Sequence, residues 1–270
     1  MFKVSILGAG GRMGRSVIRA LENDERLCLH GALGRPGSSA QGQDAGTLAG
    51  LKPLGVIVEG DATKAVEGAD VAIDFTLPAA TLSNAEVCEA AGCALIIGST
   101  GHDPEQLAWL RGHRWATPVV LAPNMSVGVN VLYRLASLAA KVLPDYDAEI
   151  FEIHHRHKKD APSGTAIRLA DVVASARGQS LSEVVRFGRA ADDGPRVRGS
   201  IGISAARAGE VVGEHSLLLA GDGESLELRH VAQDRDCFAR GALRAAGWVC
   251  GKAPGLYDMN DVLGLPEAGK

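Results

Sequence analysis

Residues 4–14 read VSILGAGGRMG. Val4–Leu7 is a short apolar run of strand type, and a helical pattern begins at Met13 and continues to Glu22. Between them Gly8, Ala9, Gly10, Gly11, Arg12 and Met13 form a glycine-rich turn. Glycine lets the chain reverse tightly and lets a pyrophosphate approach the backbone N–H groups of a helix start. The spacing is G-x-x-G-x-x-G through Gly8, Gly11 and Gly14, because Met13 takes the last position of the simpler G-x-G-x-x-G. Such a turn becomes specific only where the chain goes on as βαβ.

It does go on that way. Leu27–Leu33, Val56–Val58, Val71–Phe75, Leu95–Ile97 and Val119–Leu121 read as further strands. Helical patterns at Ala62–Glu67, Thr81–Ala91 and Pro104–Arg111 lie between them, and Gly34–Leu51 reads as a long loop. Continuous apolar strands alternating with helices predict an α/β fold, a Rossmann-type doubly wound parallel sheet covered on both faces. A helix at Val127–Val142, a strand at Ala148–His154 and a helix at Ser163–Arg177 follow. Ile201–Ala206, Val211–Ala220 and Ser225–Ala232 then read as consecutive strands joined by glycine turns. That succession predicts a second, α+β domain with a mixed, mostly antiparallel sheet. Cys237–Cys250 is helical again.

Composition bounds the function. The 270 residues are 46% hydrophobic and 22% charged, which fits a globular chain with a sizeable core. A net charge of -4 offers no basic surplus for nucleic acid. The apolar runs are strand-sized, so no membrane span is expected, and Met1 runs into the first strand without a signal-peptide layout. The expected location is cytoplasmic. Cys28, Cys88, Cys93, Cys237 and Cys250 are scattered and odd in number, as reduced thiols are.

Strand ends carry the expected cofactor contacts. At the end of the second strand an NAD site usually places a carboxylate for the ribose hydroxyls. Here Leu33-Gly34-Arg35 has none, and Arg35 offers a guanidinium that suits a 2′-phosphate. NADPH is therefore expected over NADH, with a plain solvated loop charge as the competing reading of Arg35. Phe75 reads either as a neighbour of a cofactor ring or as ordinary core. Gly98, Ser99, Thr100 and Asn124 are placed to line the nicotinamide region.

A second motif has no counterpart in a plain nucleotide domain. Residues 154–166 read HHRHKKDAPSGTA, placing proton donors and cations directly ahead of a helix start. If the strand continued to Lys158, Glu152, His154, Arg156 and Lys158 would share one face. His154 can exchange a proton near neutrality, and Lys158 can supply charge or a proton. The N–H groups of Ser163, Gly164 and Thr165 can hold a carboxylate. Two plainer readings are a solvated basic strand edge and a metal site of His154, His155 and His157. Adjacent histidines on opposite faces chelate poorly, so no metal is expected.

With both motifs in place, the sequence resembles the 4-hydroxy-tetrahydrodipicolinate reductase family, formerly called dihydrodipicolinate reductase. The resemblance runs from Phe2 to Leu265. It includes GAGGRMGR at 8–15, DAGTLAG at 44–50, IDFT at 73–76, IGSTG at 97–101 and NMSVGVNV at 124–131. It continues with EIHHRHKKDAPSGTA at 152–166, RAGEVVGEH at 207–215 and GLYDMNDVL at 255–263.

The resemblance implies that residues 1–125 and 236–270 form the dinucleotide-binding domain and 126–235 the substrate-binding and oligomerisation domain. It implies a homotetramer and a cyclic dicarboxylate substrate of small size. It further implies His154 and Lys158 as proton donors, and His155, Gly164 and Thr165 as substrate contacts. Gly8–Met13, Gly98–Thr100, Ala122, Pro123, Asn124 and Met125 match cofactor contacts. Many family members carry Glu where this chain has Gly34, while the neighbouring Arg is kept as Arg35. Met125 stands where Phe is common. The competing functions are another two-domain NADP-linked reductase and a non-catalytic nucleotide sensor.

Overall fold

The computed structural model describes residues Met1–Leu265, which fall into two compact units. Met1–Val127 and Arg235–Gly264 make the first, and Gly128–Asp234 belong to the second. Residues 266–270, the end of the expected nucleotide-binding segment, lie outside the described residues.

The first unit starts with β1 (Phe2–Leu7), α1 (Arg12–Leu21), β2 (Leu27–Leu33), α2 (Ala45–Leu48), β3 (Val58–Glu59) and α3 (Ala62–Val66). It continues with β4 (Val71–Asp74), α4 (Pro78–Ala90), β5 (Ala94–Ile97), α5 (Pro104–Gly112) and β6 (Pro118–Leu121). The second unit holds most of α6 (Val127–Val142), then β7 (Asp147–His154), α7 (Gly164–Ala176), α8 (Leu181–Val184) and β8 (Val185–Phe187). Its last strands are β9 (Ile201–Arg207), β10 (Gly213–Ala220) and β11 (Ser225–Ala232). The chain then returns to the first unit with α9 (Asp236–Val249), β12 (Gly255–Tyr257) and α10 (Met259–Leu263).

The first sheet runs β12-β6-β5-β4-β1-β2-β3, and every pairing is parallel. Val4, Ile6 and Leu7, all of Val71–Ile73 and all of Ala94–Ile97 are buried, as a sheet covered on both faces requires. The order reverses between β1 and β4, so the ligand crevice of such a fold lies at their carboxyl ends. α9 packs in this unit because Gly241 lies against the Met125 backbone, where a Cβ would overlap the Met125 carbonyl oxygen. One turn of helix, α2, interrupts the long loop expected at Gly34–Leu51. Asp44 nucleates it by accepting from Thr47 N at 2.9 Å, and it also accepts from Leu54 and Gly55 N–H.

The second sheet runs β11-β10-β7-β9-β8. It is mixed in equal parts: β11–β10 and β10–β7 are antiparallel, while β7–β9 and β9–β8 are parallel. β9 and β10, read from sequence as successive strands, are not partners, because β7 is inserted between them. Ala148, Ile150, Glu152 and His154 of β7 point to the buried face, which carries the core of Leu132, Ala136, Leu169, Val173, Leu217 and Leu219. Phe151 and Val231, which project from the sheet, and Phe187 on β8 are exposed. The polar pair Glu152 and His154 therefore prolongs a row of core positions.

Candidate active site

In the first unit the sites expected for a cofactor line up along the carboxyl edge of the sheet. Gly8 and Ala9 N–H donate to Leu33 O at 3.0 and 2.8 Å, and Phe75 N–H donates to Leu7 O at 3.1 Å. Gly98 N–H donates to Asp74 O at 2.9 Å and Ala122 N–H to Ile97 O at 3.1 Å. Gly8 has φ +89°, which a side chain rarely tolerates. Gly14 packs α1 onto this turn so closely that a Cβ would overlap Gly8 O. Gly11 caps α1 and has no side chain to satisfy the first-turn N–H groups. The turn and helix start thus fit the pyrophosphate of a dinucleotide.

Asp74, wholly buried at the end of β4, braces two of the loops. Its carboxylate accepts from Thr76 N at 2.6 Å, Ser99 Oγ at 3.1 Å and Asn84 Nδ2 at 3.3 Å. Burial pushes this carboxyl up, and the Thr76, Asn84 and Ser99 bonds pull against that. The Ser99 hydroxyl is consequently engaged in holding Asp74. Phe75 packs its ring against Gly98, where a Cβ would overlap it. Ala9, Ala122 and Met125 have buried side chains in the core, so they can present only backbone to a ligand. Arg12, Thr100 and Pro123 are exposed, and so is Arg35, at the start of a turn closed by Ser38 N–H on Arg35 O at 3.0 Å.

The second unit holds the segment read from the sequence as a source of proton donors. β7 stops at His154, so the shared face expected to run on to Lys158 ends there. Beyond it the chain turns, with Lys158 N–H on His155 O at 3.1 Å. Arg156 N–H donates to Gly209 O at 3.0 Å, and exposed His157 lies 3.6 Å from Glu210. These two residues pin the turn to the β9–β10 connection. Lys158 Nζ reaches both oxygens of Asp160, at 3.0 and 2.9 Å, and holds that carboxyl below its usual range. The rings of His155 and His157 are tilted by 38° to one another, with centroids 6.2 Å apart.

A buried polar cluster surrounds His154, which is 9% exposed. Its Nδ1 pairs with Glu152 Oε2. Glu152, 1% exposed, uses its other oxygen to accept from Arg207 Nη1 at 3.0 Å and from Ser163 N at 3.2 Å. Burial raises the Glu152 carboxyl, but the bonds and charges of His154 and Arg207 outweigh it and bring it to about 2. His215 comes from β10, in register with Glu152, and its ring meets His154 edge-on at 5.1 Å. Desolvation, with the charge of His154 behind it, lowers His215 to about 3, so it is neutral at physiological pH. Its Nε2 lies 3.0 Å from Ser163 Oγ, and that hydroxyl also caps α7 by accepting from Ala166 N at 3.2 Å.

Glu152, His154 and His215 each offer a ligand atom, all within 4.8 Å of one another. Arg207 already neutralises Glu152, and the charge of Lys158 reaches His215, so the cluster is balanced by protein cations. The chemistry these groups serve best is proton exchange at a histidine. Sequence reasoning assigned no role to Glu152, Arg207, His215 or Asp74, and it expected the Ser163 N–H to hold a ligand carboxylate, whereas that N–H donates to Glu152. The period of two from His154 points at Glu152, while Arg207 and His215 are the first and last residues of the family-like stretch 207–215, which gave no role to either.

Residues 2–125 match the family model described as dihydrodipicolinate reductase, N-terminus, and residues 128–263 match dihydrodipicolinate reductase, C-terminus. The chain belongs to the dihydrodipicolinate reductase family. A 4-hydroxy-tetrahydrodipicolinate reductase of Anaeromyxobacter dehalogenans (strain 2CP-C) is 52% identical over 266 residues, 98% of each chain. One from Geobacter sulfurreducens is 49% identical over 98% of this chain and 100% of its own. Among solved structures, a dipicolinate-bound dihydrodipicolinate reductase of Paenisporosarcina sp. TG-14 superposes with a TM-score of 0.76 at 25% identity, covering 96% and 97% of the two chains. A DAP dehydrogenase of C. glutamicum, 14% identical with a TM-score of 0.57 over 98% and 96%, shares the fold. As a dihydrodipicolinate reductase relative, the chain has a nucleotide-binding first unit built for a nicotinamide cofactor.

Proposed function

We propose that the chain is a 4-hydroxy-tetrahydrodipicolinate reductase. It reduces 4-hydroxy-2,3,4,5-tetrahydrodipicolinate, with loss of water, to 2,3,4,5-tetrahydrodipicolinate in the diaminopimelate route to lysine. The observation that carries this reading is the buried His154–Glu152 pair, tied through Ser163 to the start of α7. A proton donor joined to an anion-binding backbone supports this reading, because a dicarboxylate ring needing a proton requires both.

The nicotinamide cofactor, held at Gly8–Gly14 and the loops Phe75–Thr76, Gly98–Thr100 and Ala122–Met125, supplies a hydride when bound. The chain's own residues do the rest. His154 delivers the proton that completes the reduction. Lys158 exchanges its Asp160 partner for a substrate carboxylate and neutralises charge. Gly164 and Thr165 take the other carboxylate at the helix start, beside His155. Gly164 has an ordinary φ, and a Cβ there would meet nothing within 4 Å. Neither strain nor packing demands glycine there, which leaves close approach of a ligand as the reason.

NADPH is the preferred cofactor, with NADH as the alternative. A Cβ at Gly34 would come 2.8 Å from Val58 Cγ1, so the position has no room for a ribose-binding carboxylate without a shift. Arg35 beside it remains for a 2′-phosphate. The enzyme assembles as a homotetramer, a reading supported by exposed Phe151, Phe187 and Val231 on strands of the second sheet. It acts in the cytoplasm without nucleic-acid or membrane partners. The net charge of -4 supports the lack of a nucleic-acid partner. Among the described residues no helix is long and apolar enough to cross a membrane.

The test follows NADPH oxidation with the hydroxylated dicarboxylate as substrate, for wild type and His154→Ala. Wild type turns over, and the variant loses about a hundredfold or more in rate. A wild-type rate in His154→Ala removes that residue from the chemistry, and an inert wild type removes the activity.

A further inference from the structure

We infer that Glu152 is the positioning residue of this site, holding the proton of neutral His154 on Nδ1 so that Nε2 is the atom that gives and takes the catalytic proton. The inference rests on the proton-transfer role proposed above for His154. Its ground is geometric. Glu152 Oε2 faces His154 Nδ1, while Oε1 is fixed by Arg207 Nη1 at 3.0 Å and Ser163 N at 3.2 Å. A carboxylate with one oxygen clamped from two sides cannot turn away, and an ionised carboxylate only accepts. The hydrogen it meets on the imidazole must therefore sit on Nδ1.

Arg207 is itself anchored, since its Nη2 donates to Asp160 O at 2.6 Å. The ring is confined on its other edge by the chain. Gly213 lies beside it, and a Cβ there would come 3.0 Å from His154 Nε2. Glycine at 213 thus keeps space at the nitrogen that must reach a ligand. The charged and titratable groups around His154 are Glu152 on its own strand, His215 on β10, Arg207 on β9, and Lys158 and Asp160 from the turn. His230 of β11 stands in register behind His215. His215 stays neutral at physiological pH, and the carboxylate of Glu152 is set directly against the imidazole.

The step balances simply. The Nε2–H bond of the imidazolium breaks, its proton joins the reduced substrate, and the pair of electrons stays on Nε2. The neutral ring that remains keeps Nδ1–H toward Glu152, which stays ionised throughout. The hydride comes from the nicotinamide cofactor.

Glu152→Gln separates this role from a merely structural one. Its amide oxygen can keep the Arg207 and Ser163 bonds, while its NH₂ group presents a donor to Nδ1 and so favours the opposite tautomer. Isotope-labelled imidazole NMR of the wild type, with His154 assigned by its loss in His154→Ala, is expected to show the neutral ring as Nδ1–H. In Glu152→Gln it is expected to switch to Nε2–H. Activity should fall by about tenfold or more, as when an orienting carboxylate is removed from a histidine. The pH profile of kcat/KM should change, because the negative charge beside the imidazole is gone. A wild-type ring in the Nε2–H form overturns the inference, and so does a Glu152→Gln enzyme with unchanged rate and pH profile. Should the variant fail to fold, the wild-type tautomer alone decides. A wild type without turnover would instead refute the proposed reductase activity.

Discussion

Glu152 Oε1 and the backbone N–H of Ser163 lie 3.2 Å apart, joining the end of β7 to the start of α7. One buried carboxylate thereby sets both the histidine expected to move a proton and the helix end expected to hold a substrate carboxylate. Distortion at either end should reach the other, and the site should respond to substitution as a unit.

Lys158→Ala should reduce kcat/KM by about a hundredfold, since it removes both a proton source and a neutralising charge. Steady-state rates of NADPH oxidation check this. A loss confined to KM would limit Lys158 to binding.

Gly164→Ala should separate stability from function. Alanine is favoured over glycine in a helix by roughly 0.5–1 kcal/mol, and space is open around a Cβ at 164. The melting temperature should hold or rise slightly, while KM for the dicarboxylate rises several-fold. An unchanged KM would take Gly164 out of the substrate site.

Arg35→Ala should lower kcat/KM for NADPH by about tenfold to a hundredfold, in line with roughly 1.5–3 kcal/mol for a hydrogen bond to a charged group. The value for NADH should stay as in wild type. Equal loss with both cofactors would refute contact with a 2′-phosphate.

Acid should destabilise the second unit through two groups of the same sign. His215 titrates near about 3 in the folded chain against 6.5 ordinarily, so the unfolded chain takes its proton first as pH falls. Stability from this group is complete above pH 6.5 and is lost downward to about 3. Glu152, at about 2 against 4.5, adds a second loss over its own lower range. Each group contributes a slope of up to about 1.4 kcal/mol per pH unit. Denaturation midpoints taken from neutral to acid pH should fall less steeply in His215→Gln. Identical slopes in the two proteins would exclude His215 as the cause.

Gly241→Ala should destabilise the first unit, because its Cβ would overlap the Met125 carbonyl oxygen. Overpacking of this kind costs about 1–3 kcal/mol. A melting temperature equal to wild type would mean that α9 shifts without penalty.

Much of the first unit is legible in the chain because its signals are local. VSILGAGGRMG names a strand, a turn and a helix within eleven neighbouring residues, and each later apolar run reads as a strand at the same short range. The turn at Gly8 needs a backbone that only glycine adopts readily, so its composition discloses its shape. His154, Lys158 and Gly164 are likewise visible, since they lie within one segment.

What the sequence by itself determined is therefore the alternation of elements, the glycine turn and the proton-donor segment, all set by residues near one another in the chain. Only the tertiary structure decided that β7 lies between β9 and β10, and that α9 packs on Met125. That insertion is what brings Arg207 and His215 from either side onto Glu152 and His154. Strand register is fixed by hydrogen bonds and burial between residues more than fifty positions apart. Period-two alternation along one strand says which face a residue takes, but not which residue of another strand will stand beside it.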